Sequence, residues 1–341
     1  MLLRFGSVVM LALLALPAAP VTAAKAASFD CDAASTAFEK AICASTDLSE
    51  KDETLAVAYQ TAIGGLSSKA AARMKADQKA WLDFAQRACS DDAKPQKKAY
   101  DEDGVTCLGT LFDARVEALE ESRMIGGLRF YQTARFAAFP DPEGTDWSKV
   151  AQKQLTVARI DGDAPVARGF NRFVDGLTES FAEGFDNGQH EEESGTDASL
   201  RVAVETVSGS RVTVALYDYS YGHGAAHGNY GVTYAHYLRD AKRPLEASDI
   251  FAGKGWEERL AEQAFDALKA ELGEFVQAES ASDIVEAVAD PARWTFDSRA
   301  LTIIFQPYEV ASYADGTPEV RIPWSVLQDD LAGEAWTITS N

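Results

Sequence analysis

Residues 199–221 read SLRVAVETVSGSRVTVALYDYSY. Apolar and polar residues alternate on both sides of Ser208-Gly209-Ser210. That period of two is what a half-buried strand requires, because successive side chains point to opposite faces. The small triplet supplies the turn, so the stretch predicts a β-hairpin. GVTYAHYLRD (231–240) reads as a third strand.

Working outward, LRFYQTARF (128–136) and KQLTVARI (153–160) are further strand candidates. Between them and the hairpin, residues 166–185 predict an amphipathic helix with Phe170, Phe173, Val174, Leu177 and Phe181 on one face. Downstream, 256–272 predicts a helix, and 280–290 predicts another that starts at a serine cap. WTFDSRALTIIFQ (294–306) predicts a second hairpin, and EVRIPW (319–324) a last strand. Strands and helices mix without regular βαβ alternation. Residues 125–341 are therefore expected to form an α+β domain with a mainly antiparallel sheet.

The pattern differs before Ile125-Gly126-Gly127. Residues 29–124 read as a small helical domain. A first helix spans 36–44. A second is expected to start at Ser49, with Asp52 three residues on, and to carry Leu55, Tyr59, Ile63 and Leu66. A third places Met74, Gln78, Trp81, Leu82, Ala85 and Cys89 on one face, and a fourth carries Leu108, Leu111, Phe112, Val116 and Leu119. Trp81 and Tyr59 are assigned to the core.

Residues 1–26 read as a secretory signal peptide. Arg4 precedes an apolar run at 8–16 that is too short to span a bilayer, and small residues follow up to Ala24-Lys25-Ala26. The expected product is periplasmic or secreted, without a membrane or lipid anchor. The chain's four cysteines, Cys31, Cys43, Cys89 and Cys107, all fall in the helical region. An even count in an exported chain implies two disulfides. Three pairings are open. Cys31–Cys43 with Cys89–Cys107 is preferred, because each pair flanks one short segment. The formal net charge of −21 repels nucleic acid and anionic lipid and favours a cationic partner.

The end of the first hairpin reads YDYSYGHGAAHGNYG (217–231). His223 and His227 stand four apart, a spacing that binds zinc on a helix. Gly222, Gly224 and Gly228 interrupt it and argue against a helix, and no Glu or Cys completes a ligand set. No metal, cofactor or catalytic group is expected. The stretch reads instead as a tyrosine-lined loop held in shape by His227.

Two resemblances sharpen this reading. FDC (29–31), FEKAIC (38–43), LSEKDETLAVAY (48–59), Gln78-Lys79-Ala80-Trp81, Cys89 and CLGTLFDARVEAL (107–119) resemble the LprI-like family of lysozyme inhibitors. The match keeps all four cysteine positions. Ala85 stands where that family often has arginine, and Phe112 where tyrosine is usual. YSYGHGAAHGNYG (219–231), LEASDIF (245–251) and FQPYEVASYADGTPEVRIPWSVL (305–327) resemble the extracellular domain of RsiV-like anti-sigma factors. Here Ser312 replaces a proline, and Trp324 stands where Tyr or Phe is usual.

Both resemblances imply a lysozyme-like cationic muramidase as partner and no catalysis. Partner contacts are expected at Tyr219, Tyr221, His223, His227 and Asn229 of the tyrosine-lined loop and at Tyr308, Glu309, Tyr313 and Asp315 of the segment after LTIIF. Binding to peptidoglycan or another glycan through the same aromatics is the rival expectation.

Overall fold

The computed structural model describes residues 27–144, 149–185 and 195–340. Residues 1–26, the expected signal peptide, lie outside them. The fold is α+β.

Four helices open the described chain: α1 (Ala37–Ala44), α2 (Thr46–Ile63), α3 (Ser68–Ala88) and α4 (Glu102–Glu120). Each starts at a side-chain cap, from Thr36, Ser45, Ser67 and Asp101, which satisfies a backbone amide that the helix leaves orphaned. The cap of α2 is thus Ser45, four residues before the expected Ser49. Ser49 lies inside the helix, buried, and its hydroxyl donates to the Ile42 carbonyl at 2.7 Å. On α3 the buried face holds Met74, Asp77, Trp81, Phe84, Ala85 and Ala88. Leu82, expected there, is exposed, because Phe84 takes the inward position. Trp81 meets Phe112 edge to face at the centre of this core. Truncating a ring so buried costs about 3–5 kcal/mol. Tyr59 is only partly buried. Disulfides join Cys31 to Cys43 and Cys89 to Cys107, the preferred pairing.

A seven-stranded sheet follows, with strands in sequential order: β1 (Met124–Ile125), β2 (Leu128–Pro140), β3 (Val150–Ile160), β4 (Thr196–Val207), β5 (Arg211–Gly222), β6 (Asn229–Leu238) and β7 (Arg243–Pro244). All neighbours are antiparallel except β3 and β4. That parallel pair needs a crossover, and α5 (Pro165–Glu183) supplies it. Pro165 opens α5, where its missing N–H costs nothing. The predicted hairpin is β4–β5, with a register shift between Val204 and Thr206.

The two faces of this sheet are covered by different partners. Leu155, Val157, Val202, Val212, Val214 and Tyr237 pack with Phe170 and Val174 of α5. On the opposite face Phe136 stacks on Phe84 of α3, and Ala138 and Val150 join the helical core. Polar contacts tie the same junction. The Asp77 carboxylate accepts the Ala134 amide at 3.0 Å, and Arg129 donates to the carbonyls of Ala62 and Gly64 at 2.7 and 3.0 Å. Arg115 is buried there over Phe136 and donates to Gln78 at 2.9 Å.

The rest of the chain builds a third core around α6 (Trp256–Leu272), α7 (Val285–Ala289) and a separate three-stranded antiparallel sheet. That sheet comprises β8 (Trp294–Phe296), β9 (Ala300–Ile304) and β10 (Glu319–Pro323). The short helix α8 (Ala335–Thr339) ends the described chain. The strand-rich part therefore has two sheets. The three-stranded sheet docks on β6 through Phe296, which stacks on buried His236 with centroids 5.0 Å apart. Among the described residues no helix is long and apolar enough to cross a membrane.

Candidate functional site

The register of the hairpin decides where its tyrosines point. Tyr217, Tyr219 and Tyr221 lie two apart on β5, so they share a face. Tyr219 sits opposite Tyr230 of β6, and Ala215 opposite Tyr234. Cross-strand partners share a face, so Tyr230 and Tyr234 join them. This is the face that carries the helical domain. Arg201 of β4 marks the join. Its guanidinium lies over Tyr217 at 4.7 Å and pairs with Glu117 of α4 at 2.9 Å and with Glu121, which caps that helix, at 2.5 Å. Beyond it the face opens into a groove of about 360 Å³, lined by Ala114, Glu117 and Ala118 of α4 and by Tyr217, Tyr219 and Tyr230.

The distant loop at 305–316 closes on the end of the same hairpin. Gln306 makes the join. Its side-chain amide donates to the Val232 carbonyl at 2.7 Å and accepts the Val232 amide at 3.0 Å, as a neighbouring strand would. His227 then stacks on Tyr313 with centroids 4.1 Å apart. The Tyr313 hydroxyl donates to the Gly228 carbonyl at 2.7 Å, and His227 Nδ1 lies 2.9 Å from the same oxygen. Tyr230 meets Tyr313 edge to face, and Tyr308 lies against Tyr313 with its hydroxyl 3.4 Å from His227 Nε2. Three of these rings face solvent: Tyr219 is 43% exposed, Tyr230 36% and Tyr308 58%.

Two backbone features make the cluster possible. A side chain at Gly228 would meet the Tyr219 ring at 2.5 Å, so glycine lets that ring lie across the turn. Tyr308 holds φ at +69°, a left-handed conformation that a residue with a Cβ adopts only at a cost. Such a conformation on an exposed aromatic is the kind of strain that gathers at binding sites.

The other predicted residues divide. Tyr221 donates to the Ala225 carbonyl within the turn at 3.3 Å, and exposed Asn229 pairs with Ser220. His223 points away from the cluster. Its ring is buried between Asp141, 2.7 Å from Nδ1, and Asp197, 3.4 Å from Nε2. It thereby ties the turn to the end of β2 and to β4. Glu309 is held by Arg293 at 2.9 and 3.1 Å and accepts the Gln306 amide. Asp315 caps the short turn that starts at Ser312. The two histidines four apart in sequence thus serve different neighbours. No group of three metal-ligating side chains is present among the described residues.

Residues 31–122 match the model of the family described as lysozyme inhibitor LprI, and residues 248–325 match DUF3298, a protein family of unknown function. The chain thus carries one segment similar to LprI and one similar to DUF3298. A crystal structure of a DUF3298 family protein from Pseudomonas aeruginosa is similar at 17% identity and a TM-score of 0.48, over 61% of this chain and 96% of that one. A DUF3298 member from Bacteroides fragilis is similar at 18% identity and a TM-score of 0.44, over 61% and 95%. No curated protein matches the chain. The groove and the tyrosine cluster beside it draw on both matched segments. The groove's α4 wall lies in the segment matched by LprI, and Tyr313 of the adjoining cluster, which stacks on His227, lies in the segment matched by DUF3298.

Nothing local in the sequence singles out Gln306 or Arg201 as organisers of this surface. Tyr230 was legible from the alternation. Gln306 and Arg201 were not, since their partners lie 74 and 80 positions away.

Proposed function

We propose that this protein is an exported, non-catalytic inhibitor of a lysozyme-like muramidase in the cell envelope. It binds the enzyme with the face formed by Tyr219, Tyr230, Tyr308, Tyr313 and His227 and by the adjoining groove of α4. Tyr221 and Asn229 lie at its edge, and Asp315 holds its supporting turn. His223 and Glu309 act from behind by fixing the two loops. The observation that carries this reading is the groove beside the cluster: a wall from the segment matched by a lysozyme-inhibitor family faces Tyr219 and Tyr230 of a solvent-facing tyrosine cluster. Tyrosine brings a large rigid area with a polar tip, which suits an interface hot spot. The net charge of −21 complements a cationic enzyme.

The test is lytic activity of a hen-type lysozyme on cell walls with the protein in molar excess. Inhibition that fades with added salt is the expected outcome. Undiminished lysis at low salt would sink the proposal, and pull-down by insoluble peptidoglycan alone would favour glycan binding in its place.

A further inference from the structure

On the opposite face of the seven-stranded sheet lies a larger groove of about 800 Å³, between α5, the β6–β7 segment and the turn at 290–292. We infer that this groove binds an amphiphilic carboxylate, a singly charged anion with an apolar body. Its volume falls in the range of small-molecule sites, which are mostly apolar with a few placed polar groups. Phe173, Leu177, Pro244, Leu245 and Pro291 supply the apolar wall.

The charge at the rim runs against the rest of the molecule. Arg172, Lys242 and Arg243 line the groove in a chain of net charge −21. Arg243 is engaged by Asp249, at 2.6 and 2.7 Å. Arg172 and Lys242 pair with no carboxylate among the described residues. Asp290 is the one acid in the lining, and its carboxylate accepts the Ala292 amide. Unpaired cations beside an apolar wall match a ligand with both characters. A polyanion would meet Asp290 and the repulsion of the whole acidic chain, so a single charge fits better.

Two further features point to an occupant. Tyr237 lines the groove, and its buried hydroxyl has no hydrogen-bond partner among the described residues. Buried polar groups are nearly always paired. Helix α5 also carries two glycines on the groove side, Gly169 and Gly176. Gly169 is explained, because the Tyr237 hydroxyl occupies the space a Cβ would need. Gly176 is not explained by packing: a Cβ there would meet nothing within 4 Å. Glycine is a poor helix former, so an unfilled mid-helix glycine is consistent with a wall kept open.

The test uses the full chain after its predicted signal segment, titrated calorimetrically at low ionic strength with dodecanoate below its micelle concentration. Dodecyltrimethylammonium is the charge-reversed control, and N-acetyl-Leu-Phe distinguishes a peptide carboxylate from an acyl one. Saturable binding of either carboxylate, about tenfold tighter than the cationic amphiphile, is expected. Gly176→Leu and Arg172→Gln/Lys242→Gln should each weaken it about tenfold with the circular dichroism unchanged. Lysozyme inhibition by both variants should be unaltered, which separates this site from the tyrosine face. Absence of saturable binding, equal affinity for the cationic amphiphile, or indifference to both variants would overturn the inference.

Discussion

His227 lies face to face with Tyr313, ring centroids 4.1 Å apart and planes 24° from parallel. One comes from the turn after β5 and the other from the loop after β9. Their contact is what makes two remote, tyrosine-rich stretches into one surface. Both also hold the Gly228 carbonyl, so the stack and the hydrogen bonds support each other.

A double-mutant cycle reads that coupling. His227→Ala and Tyr313→Phe should each cost about 1 kcal/mol in urea unfolding, from a lost ring contact and a lost hydroxyl bond. The double variant should cost less than their sum, because both changes loosen the same loop. Strict additivity would show that the two residues act independently. Neither change should release bound zinc on elemental analysis, and metal loss from His227→Ala would count against its role as a loop holder.

Tyr308 separates stability from binding. Its left-handed backbone is strained for tyrosine and relaxed for glycine. Tyr308→Gly should leave the melting temperature unchanged or slightly raised while weakening lysozyme inhibition about tenfold. A fall in stability with inhibition intact would place Tyr308 in the fold alone.

Salt should act mainly on the association rate. With a formal charge of −21 against a cationic enzyme, raising ionic strength shortens the screening length to about 8 Å at physiological salt. Stopped-flow association should slow about tenfold between 20 and 300 mM salt, with dissociation little changed. A salt-insensitive association rate would argue that the tyrosines act without steering.

His236 sets an acid limit. Burial, with the Arg211 charge adding, pushes its imidazole down from 6.5 to about 4. Between those values the unfolded chain takes up a proton that the folded chain refuses, so stability falls as pH drops through that window. The loss levels off below the lower value and is roughly 3 kcal/mol at most. Urea midpoints at pH 7.5, 6 and 4.5 should show this slope, and His236→Gln should flatten it. An equal slope in the variant would assign acid sensitivity elsewhere.

Asp77 couples the helical domain to the sheet. Its buried carboxylate accepts the Ala134 amide, pairs with Arg73 at 3.0 Å, and lies near enough to the buried Arg115 to favour that side chain's charge. Asp77→Ala should cost about 2–3 kcal/mol and split one unfolding transition into two. A single transition with unchanged midpoint would show that apolar contacts alone hold the halves together.

Much of this was legible in the sequence where the signal is local. The hairpin, the helix at 166–185 and the four N-terminal helices announce themselves by period and by caps. Where two local cues compete, the reading slips. Ser45 and Ser49 both suit a cap, and only the packing of Leu48 against the core decides between them. The split into two sheets is not local at all. It follows from Phe296 docking on His236, and nothing near either residue forecasts the other. The same holds for the site. The tyrosines are visible in the alternation, whereas the opposite fates of His223 and His227 depend on Asp141, Asp197 and Tyr313, each distant in the chain.

Strand β7 covers only Tyr237 and Leu238 of β6. Farther along, β6 would present bare amides and carbonyls to any extended chain that met it. Gln306 occupies that position at Val232 with one donor and one acceptor. A side chain thus stands in for a strand at this point of the edge. Exposed margins of this kind template edge-to-edge aggregation. Gln306→Ala should therefore favour self-association through β6.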